Sequence, residues 1–554
     1  MQKLHKHYST VVTPQSQPIP GTTQVQNQAG GFVWEVDKWS KLDRFLILGI
    51  EGGTYYVGER KLARENSDSA LECVKEDGLR VVNRIVEVSD AGRAMKNDPA
   101  LFVLAMCAKL GDERTKAAAY KALPQVARIA THLFHFAEYA KAFGGLGGNG
   151  FKRAVARWYA DKPAWKVALQ AVKYQQRDGW SHRDLLRLAH PKAPTGDHQA
   201  VFHYIVKGRT NGLTDAATVP QDLRVIWAWE VAKTLKASET KRMVELITQY
   251  RLPHECVPND FKKDPAIWEA LVQKMPVTAM IRNLGRLTTV GLVTNTSDVT
   301  KKIMATLGNV DALRKARVHP MSVLVALKQY AAGRGLRGSL SWNPAARVID
   351  ALNDAFYLAF QAVEPTNKAF CLALDVSGSM TGARVSGAPN LSCREAAAAM
   401  ALVTMNVEKL HEVIGFTCGG TGMSIKSSGG YWGGNGVSQL AISPKQRLDD
   451  VVRYTAGLGF GGTDCALPMI WALKHRVPID VFAIFTDNET WAGGKHPTQA
   501  LSDYRLKMGR PAKLVVVAMT GDKFSIADPN DAGQLDVVGF DAATPSLISS
   551  FATE

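Results

Sequence analysis

Phe370-Cys371-Leu372-Ala373-Leu374-Asp375-Val376-Ser377-Gly378-Ser379-Met380 is an apolar run that ends in a carboxylate and two hydroxyls spaced two apart, then turns on Gly378. An uninterrupted apolar run of this length predicts a buried parallel strand. Asp375, Ser377 and Ser379 at its carboxyl end present one anionic and two neutral oxygens to one point, a donor set suited to a hard divalent cation such as magnesium. Two further donors are available: Thr463 in the glycine-rich turn Gly461-Gly462-Thr463-Asp464, and Asp487 at the end of a second apolar run, Val481 to Thr486.

Strand-like runs at 370–374, 412–417, 480–485 and 513–519 alternate with helical patterns at about 393–410, 464–475 and 497–508. This alternation predicts a doubly wound, Rossmann-like α/β domain, with every oxygen donor on one edge of its sheet, where open α/β folds bind ligands. Two carboxylates and three hydroxyls leave a divalent ion electron-poor, so an open coordination position should attract an acidic group from a partner. No base or nucleophile accompanies the set, and the expectation is that the chain is not an enzyme. The Gly-x-Gly-x-x-Gly match at Gly457 to Gly462 follows a helical pattern rather than a strand and is read as a false dinucleotide signal. No Walker A or His-Glu-x-x-His sequence occurs.

Before Pro365 the texture is helical. Residues 1 to about 30, dominated by Gln, Thr, Pro and Gly, read as a flexible tail. Helical patterns of 10 to 20 residues follow in series, as a solenoid of helix pairs would require. Val277, Met280, Ile281, Leu284 and Leu287 share one face of such a helix, opposite Arg282, Asn283 and Arg286. Lys166, Lys173 and Arg177 are expected on one side of a helix over 164–177. Gly179-Trp180-Ser181-His182-Arg183-Asp184 then reads as a turn into a new helix, with Ser181 as N-cap. Cations beside Trp180 and His182 suit phosphates and unpaired bases, although Trp180 alone reads as core. Lys152, Arg153 and Arg157 form a further basic cluster.

The whole chain has 554 residues, 46% hydrophobic and 21% charged, which implies more than one folded domain. Its formal net charge of +16 fits a polyanionic partner or, more plainly, a lysine surplus serving solubility. Seven scattered cysteines without a Cys-x-x-Cys pair read as reduced thiols of a cytoplasmic protein. No run of 18 apolar residues is present, so no membrane span is expected, and the amino terminus lacks a signal-peptide core.

The pieces Tyr55-Tyr56-Val57-Gly58-Glu59, Lys96-Asn97-Asp98-Pro99-Ala100-Leu101, Gly179 to Arg187, Met275 to Leu284 and Gly335-Leu336-Arg337-Gly338, followed by Asp375-Val376-Ser377-Gly378-Ser379, resemble the Ro autoantigen family. The resemblance implies a flexible tail over 1–24, a TROVE domain of HEAT-like helical repeats forming a ring over 25–365, and a von Willebrand factor A domain over 366–554. It implies an adhesion-type metal site of Asp375, Ser377, Ser379, Thr463 and Asp487 holding a divalent ion, most readily Mg2+. It also implies Y-type small noncoding RNA on an outer basic surface and single-stranded ends of misfolded RNA in a central hole. Lys173, Arg177, His182 and Arg183 fall at the family's RNA-contact region; Lys152, Arg153 and Arg157 could serve the outer surface, the hole or neither. Polynucleotide phosphorylase is a further partner of some bacterial members, and a monomer is expected. The competing reading is a metal-dependent protein-adhesion module with a helical docking solenoid.

Overall fold

The structure, a computed structural model, describes residues 8, 11–49, 59–146, 148–208, 217, 219–335, 339–360, 363–385, 388–418, 426–427, 430–431, 436–458, 461–520, 523–539 and 541–554. Tyr55 to Gly58, Leu336 to Gly338, and Gly459 and Phe460 of the glycine-rich turn lie outside the described residues.

Six strands form the central sheet of the carboxyl-terminal domain: β1 (Phe370–Asp375), β2 (His411–Phe416), β3 (Val437–Gln439), β4 (Val481–Thr486), β5 (Lys513–Ala518) and β6 (Gln534–Val538). Their order is β3-β2-β1-β4-β5-β6, parallel except for β3 at one edge. All of β1 and β4 is buried, which explains their unbroken apolar sequences. Alternation of side chains sends Phe370, Leu372 and Leu374 to one face, into a core with helix Cys393–Val407, and Cys371 and Ala373 to the other, with Leu501 and Tyr504. The chain direction of the winding reverses between β1 and β4, and Leu374 stands opposite Phe485. Asp375 and Asp487 therefore leave the sheet side by side at the switch point.

Helices run in series from Lys38–Leu48 to Ala346–Leu358, each packed on near neighbours in sequence. This is a repeat array, and it closes on itself. Arg317 Nε donates to the Asp90 carbonyl (2.8 Å), and His319 Nε2 meets the Arg93 carbonyl (3.2 Å), across more than two hundred residues of chain. The α/β domain clamps both ends: Arg44 and Arg93 of the early helices reach Asp536 (2.6 Å) and Asp541 (2.9 Å), while Lys328 of the late helices reaches Glu395 (2.6 Å). The architecture is a ring of helical repeats joined to a von Willebrand factor A-type α/β domain.

The amino-terminal tail departs from expectation. Residues 11–24, expected to be flexible, lie as a strap on the α/β domain, and Phe32–Glu35 pairs antiparallel with Phe524–Ser525. Gln15 is wholly buried; its amide donates to Asp464 Oδ1 (2.7 Å) and the Lys495 carbonyl (2.9 Å) and accepts from Thr490 Oγ1 (2.6 Å). Asn27 Nδ2 donates to the Thr490 carbonyl (2.9 Å). The strap is held chiefly by amide hydrogen bonds to another domain, so its composition imitates disorder. Replacing Gln15 by Leu strands the buried Asp464 and Thr490 partners, and should destabilise the domain by about 2–4 kcal/mol. An unchanged thermal midpoint in Gln15→Leu would show that the Gln15 bonds add nothing to stability.

Candidate metal centre and nucleic-acid interface

The five oxygen-bearing residues converge and are all buried: Asp375 and Asp487 at 0%, Ser377 and Thr463 at 1%, and Ser379 at 5% exposure. Asp375 Oδ1 accepts from the Ser377 amide (2.8 Å), fixing the turn, and the hydroxyls of Ser377 and Ser379 stand 3.0 Å apart. Gly378 N–H donates to the Gly461 carbonyl (3.1 Å), tying this turn to the Thr463 loop. The Trp491 and Ala492 amides donate to the Thr463 carbonyl (3.1 and 3.0 Å), tying that loop to the one that carries Asp487.

Two further residues brace these donors and are not singled out by the sequence. Thr486 donates its hydroxyl to Asp375 Oδ2 (2.7 Å). Arg394 is buried within helix Cys393–Val407 and donates to the carbonyls of Val376 (2.5 Å), Ser377 (3.0 Å) and Leu458 (2.8 Å). Thr486 could have been found from its place before Asp487; Arg394 could not, since its partners are backbone groups distant in sequence.

Burial pushes the Asp375 carboxyl above its ordinary range, against the hydrogen bonds from Ser377 and Thr486 and the Arg394 charge. Burial first, and then the charges of Asp375 and Asp487, raise the thiols of Cys393 and Cys465, which lie near both carboxylates. A hard cation fits this donor set: Asp375, Ser377, Ser379, Thr463 and Asp487 would hold it, and it would supply a positive centre to an incoming anion. Among the described residues no cluster of three or more His, Cys, Asp or Glu side chains could hold a metal, and three of these five donors are hydroxyls.

The basic residues are less uniform. The helix expected to run to Arg177 ends at Lys173, because Gln176–Arg177 and Trp180–Ser181 form a hairpin. Asp178 (φ 51) and Gly179 (φ 78) occupy the left-handed positions of its two-residue turn, and the Asp-Gly pair is the sequence signal for it. The hairpin is fastened to helix Ala130–Ala142 by His135 on Asp178 and by Trp180 Nε1 on Glu138 (2.8 Å). Trp180 is half-buried, in keeping with its plain reading. Ser181 caps helix His182–Ala189 with the expected reciprocal bonds to Asp184.

His182 is not a surface contact. It is 3% exposed, lies at 2.8 Å from the Tyr159 hydroxyl through Nδ1, and packs edge-on against Phe134. Its place at N1 of an amphipathic helix turns its ring inward, beneath the exposed Arg183. Lys173 is half-buried against Glu255 (3.3 Å). Arg177, Arg183, Lys152 and Arg153 are exposed, and Arg187, one turn beyond Arg183, joins the same face. Arg157, although exposed, serves the fold. Pro124 provides no N–H for the Tyr120 carbonyl four residues earlier, and Arg157 Nη2 donates to that carbonyl (3.1 Å) and to Lys121 O (3.1 Å).

Comparison with known proteins follows this anatomy. The TROVE domain model matches residues 25–255 and 253–329, and the Ro60 vWA domain model matches residues 369–552. A Deinococcus radiodurans protein named RNA-binding protein RO60 is 40% identical over 554 residues, covering 100% of this chain and 99% of its own. The Caenorhabditis elegans RNA-binding protein RO60 is 34% identical over 601 residues, covering 96% of this chain and 90% of its own. The crystal structure of the Deinococcus radiodurans RO (RSR) protein superposes with a TM-score of 0.69 at 41% identity, over 93% of this chain and 99% of that one. The chain belongs to the Ro60 family.

Burial lowers the His182 pKa to about 4. The unfolded chain, with an ordinary histidine near 6.5, binds the extra proton first as pH falls, so this contribution is full above about 6.5 and is lost toward 4. Thermal unfolding between pH 7 and pH 4 should show a fall in stability that is shallower in His182→Gln. An identical pH profile in the variant would mean that His182 titrates alike in the folded and unfolded chain and that its burial shifts nothing.

Proposed function

We propose that the protein is an RNA-binding scaffold of RNA quality control, carrying Y-type small RNA on the outer face of its helical ring and single-stranded ends of misfolded RNA in a central hole. The observation that carries the reading is the exposed set Arg177, Arg183 and Arg187 on a hairpin-helix unit whose aromatic and histidine side chains are turned inward, leaving guanidinium groups to meet phosphates. The net charge of +16 and the RNA-binding names of the family relatives support it. Lys152 and Arg153 extend the cationic surface, with Lys173 and Arg157 contributing charge from tethered positions.

In this reading Mg2+ sits at Asp375, Ser377, Ser379, Thr463 and Asp487, and its open position takes an acidic side chain from a protein partner. Polynucleotide phosphorylase is one partner to which a single-strand-threading ring would deliver substrate. The scaffold is a cytoplasmic monomer and not a catalyst. Seven buried free thiols agree with a reducing compartment, and among the described residues no helix is long and apolar enough to cross a membrane.

Affinity for a structured small RNA should fall linearly on a log-log scale with added salt, and Arg177→Glu with Arg183→Glu should weaken it by about tenfold or more while lowering the slope. A flat salt response would rule out phosphate contact as the main source of affinity. Asp375→Ala should abolish calorimetric Mg2+ binding and leave RNA affinity within about twofold, since separable sites give additive effects; wild-type protein that takes up no Mg2+ would remove the metal from the reading.

A further inference from the structure

At the closure of the helical ring, the helices Val277–Thr289 and Pro320–Ala331 meet the loop before helix Asp98–Leu110 around a cavity of about 400 Å3. That size accommodates a small organic ligand. Its floor is apolar and incompletely covered: Ile281, Val325 and Ala326 line it and are only half-buried. Its rim carries Lys96, Arg282 and Arg317, and no described lining residue is a carboxylate. Arg317 is met by Asp90 (3.2 Å), whereas Arg282 is exposed and forms no ion pair among the described residues.

One wall is a fixed aromatic ring. Trp342 Nε1 donates to the Tyr330 carbonyl (3.0 Å), and its ring lies 6.0 Å from that of Tyr330 at an interplanar angle of 23°. Tyr330 is held in turn by its hydroxyl, which lies 2.9 Å from Thr288 Oγ1 and accepts from the Ala345 amide (3.2 Å). Gly285 allows the close approach, since a Cβ there would come within 2.6 Å of the indole. A ligand that satisfies all of these walls has a flat, largely apolar body and an anionic end.

We propose that this cavity seats one unpaired nucleotide of an RNA strand, its base packed against Trp342 and the Ile281, Val325 and Ala326 floor, and its phosphate at Arg282 and Lys96. The assignment rests on the RNA-binding reading and adds a base-accepting pocket to it, separate from the cationic face at Arg177 and Arg183. An aromatic wall preset by two hydrogen-bonded rings spends little entropy on binding, and stacking of this kind tolerates any base.

The test uses the full chain with three probes: a decauridylate carrying one 5-bromouridine, a blunt-ended RNA hairpin and uridine monophosphate. Arg282→Ala removes the exposed cation, and Ala326→Phe fills the floor. Each should weaken decauridylate about tenfold or more and leave the hairpin within about twofold, since stacking on an aromatic wall is worth roughly that factor. Photocrosslinking of the decauridylate should label the peptide containing Trp342. Wild-type binding of decauridylate that both variants retain, or a crosslink confined to other peptides, overturns the pocket while leaving the RNA-binding reading intact. Failure of the wild-type protein to bind either RNA overturns that reading and the pocket with it. Loss of uridine monophosphate binding in the variants with decauridylate unaffected would make this a free-nucleotide site and overturn its assignment to a strand.

Discussion

Arg44 has no exposure to solvent, and its guanidinium is met by Asp536 on β6 and by the Phe524 carbonyl. A buried cation left without its anion costs several kcal/mol, so a docking of the first helix that missed Asp536 would be penalised while keeping Arg44 buried. Arg93 and Asp541 repeat the arrangement at a second point, and Asp541 is wholly buried. Ordinary repeat arrays are open at both ends, because each unit touches only its neighbours. Here the α/β domain supplies anions to the early helices and Glu395 to Lys328 of the late ones, and the array is drawn into a ring. The desolvated pairs add geometric selectivity, since hydrophobic burial alone would tolerate a slipped docking.

The same clamp links the ring to the oxygen-rich loops. Glu395, which takes the Lys328 ammonium, also completes the capping box of helix Cys393–Val407 with Ser392. The adjacent Arg394 holds the Val376 and Ser377 carbonyls. A single turn of helix therefore faces the ring with one residue and the Asp375 turn with the next. On the opposite side, Gln15 of the strap binds Asp464 and Thr490, which flank the Thr463 and Asp487 loops. The candidate cation site is thus braced by a helix start and by a strap residue 449 and 475 positions from the groups it binds, and its loops are held by backbone bonds rather than left to close around an ion.

How much of this is legible in the sequence follows from where each signal resides. The buried strands and the five oxygen donors are local, and they emerge from runs such as Phe370 to Ser379 because a strand buried on both faces has no room for polar residues. The family motifs carry the ring. Edge strands β3 and β6 leave no clear pattern: Val437-Ser438-Gln439 is too short to show a period, and Gln534-Leu535-Asp536-Val537-Val538 mixes core and clamp residues. The strap reads as a flexible tail because amide hydrogen bonds to a distant partner have no periodicity. His182 reads as an RNA contact because a ring beside cations suits an unpaired base and because the family resemblance puts it at the RNA-contact region, whereas the helix phase that turns it onto Tyr159 and Phe134 is set by the Ser181 cap.

That inward histidine clarifies how the cationic face is built. A base-stacking platform needs exposed rings, yet Trp180 is tied to Glu138 and His182 lies in the core. The cations exposed on this unit are Arg177, Arg183 and Arg187, beside the exposed acidic residues Asp178 and Asp184, and guanidinium groups of this kind suit phosphates without reading sequence. A half-buried ring also lines the cavity at the closure, where Trp342 stands over Gly285 beside Arg282. On the proposed reading, the arginine face would meet the phosphates of a folded RNA, and the Trp342 cavity would take a base already released from pairing.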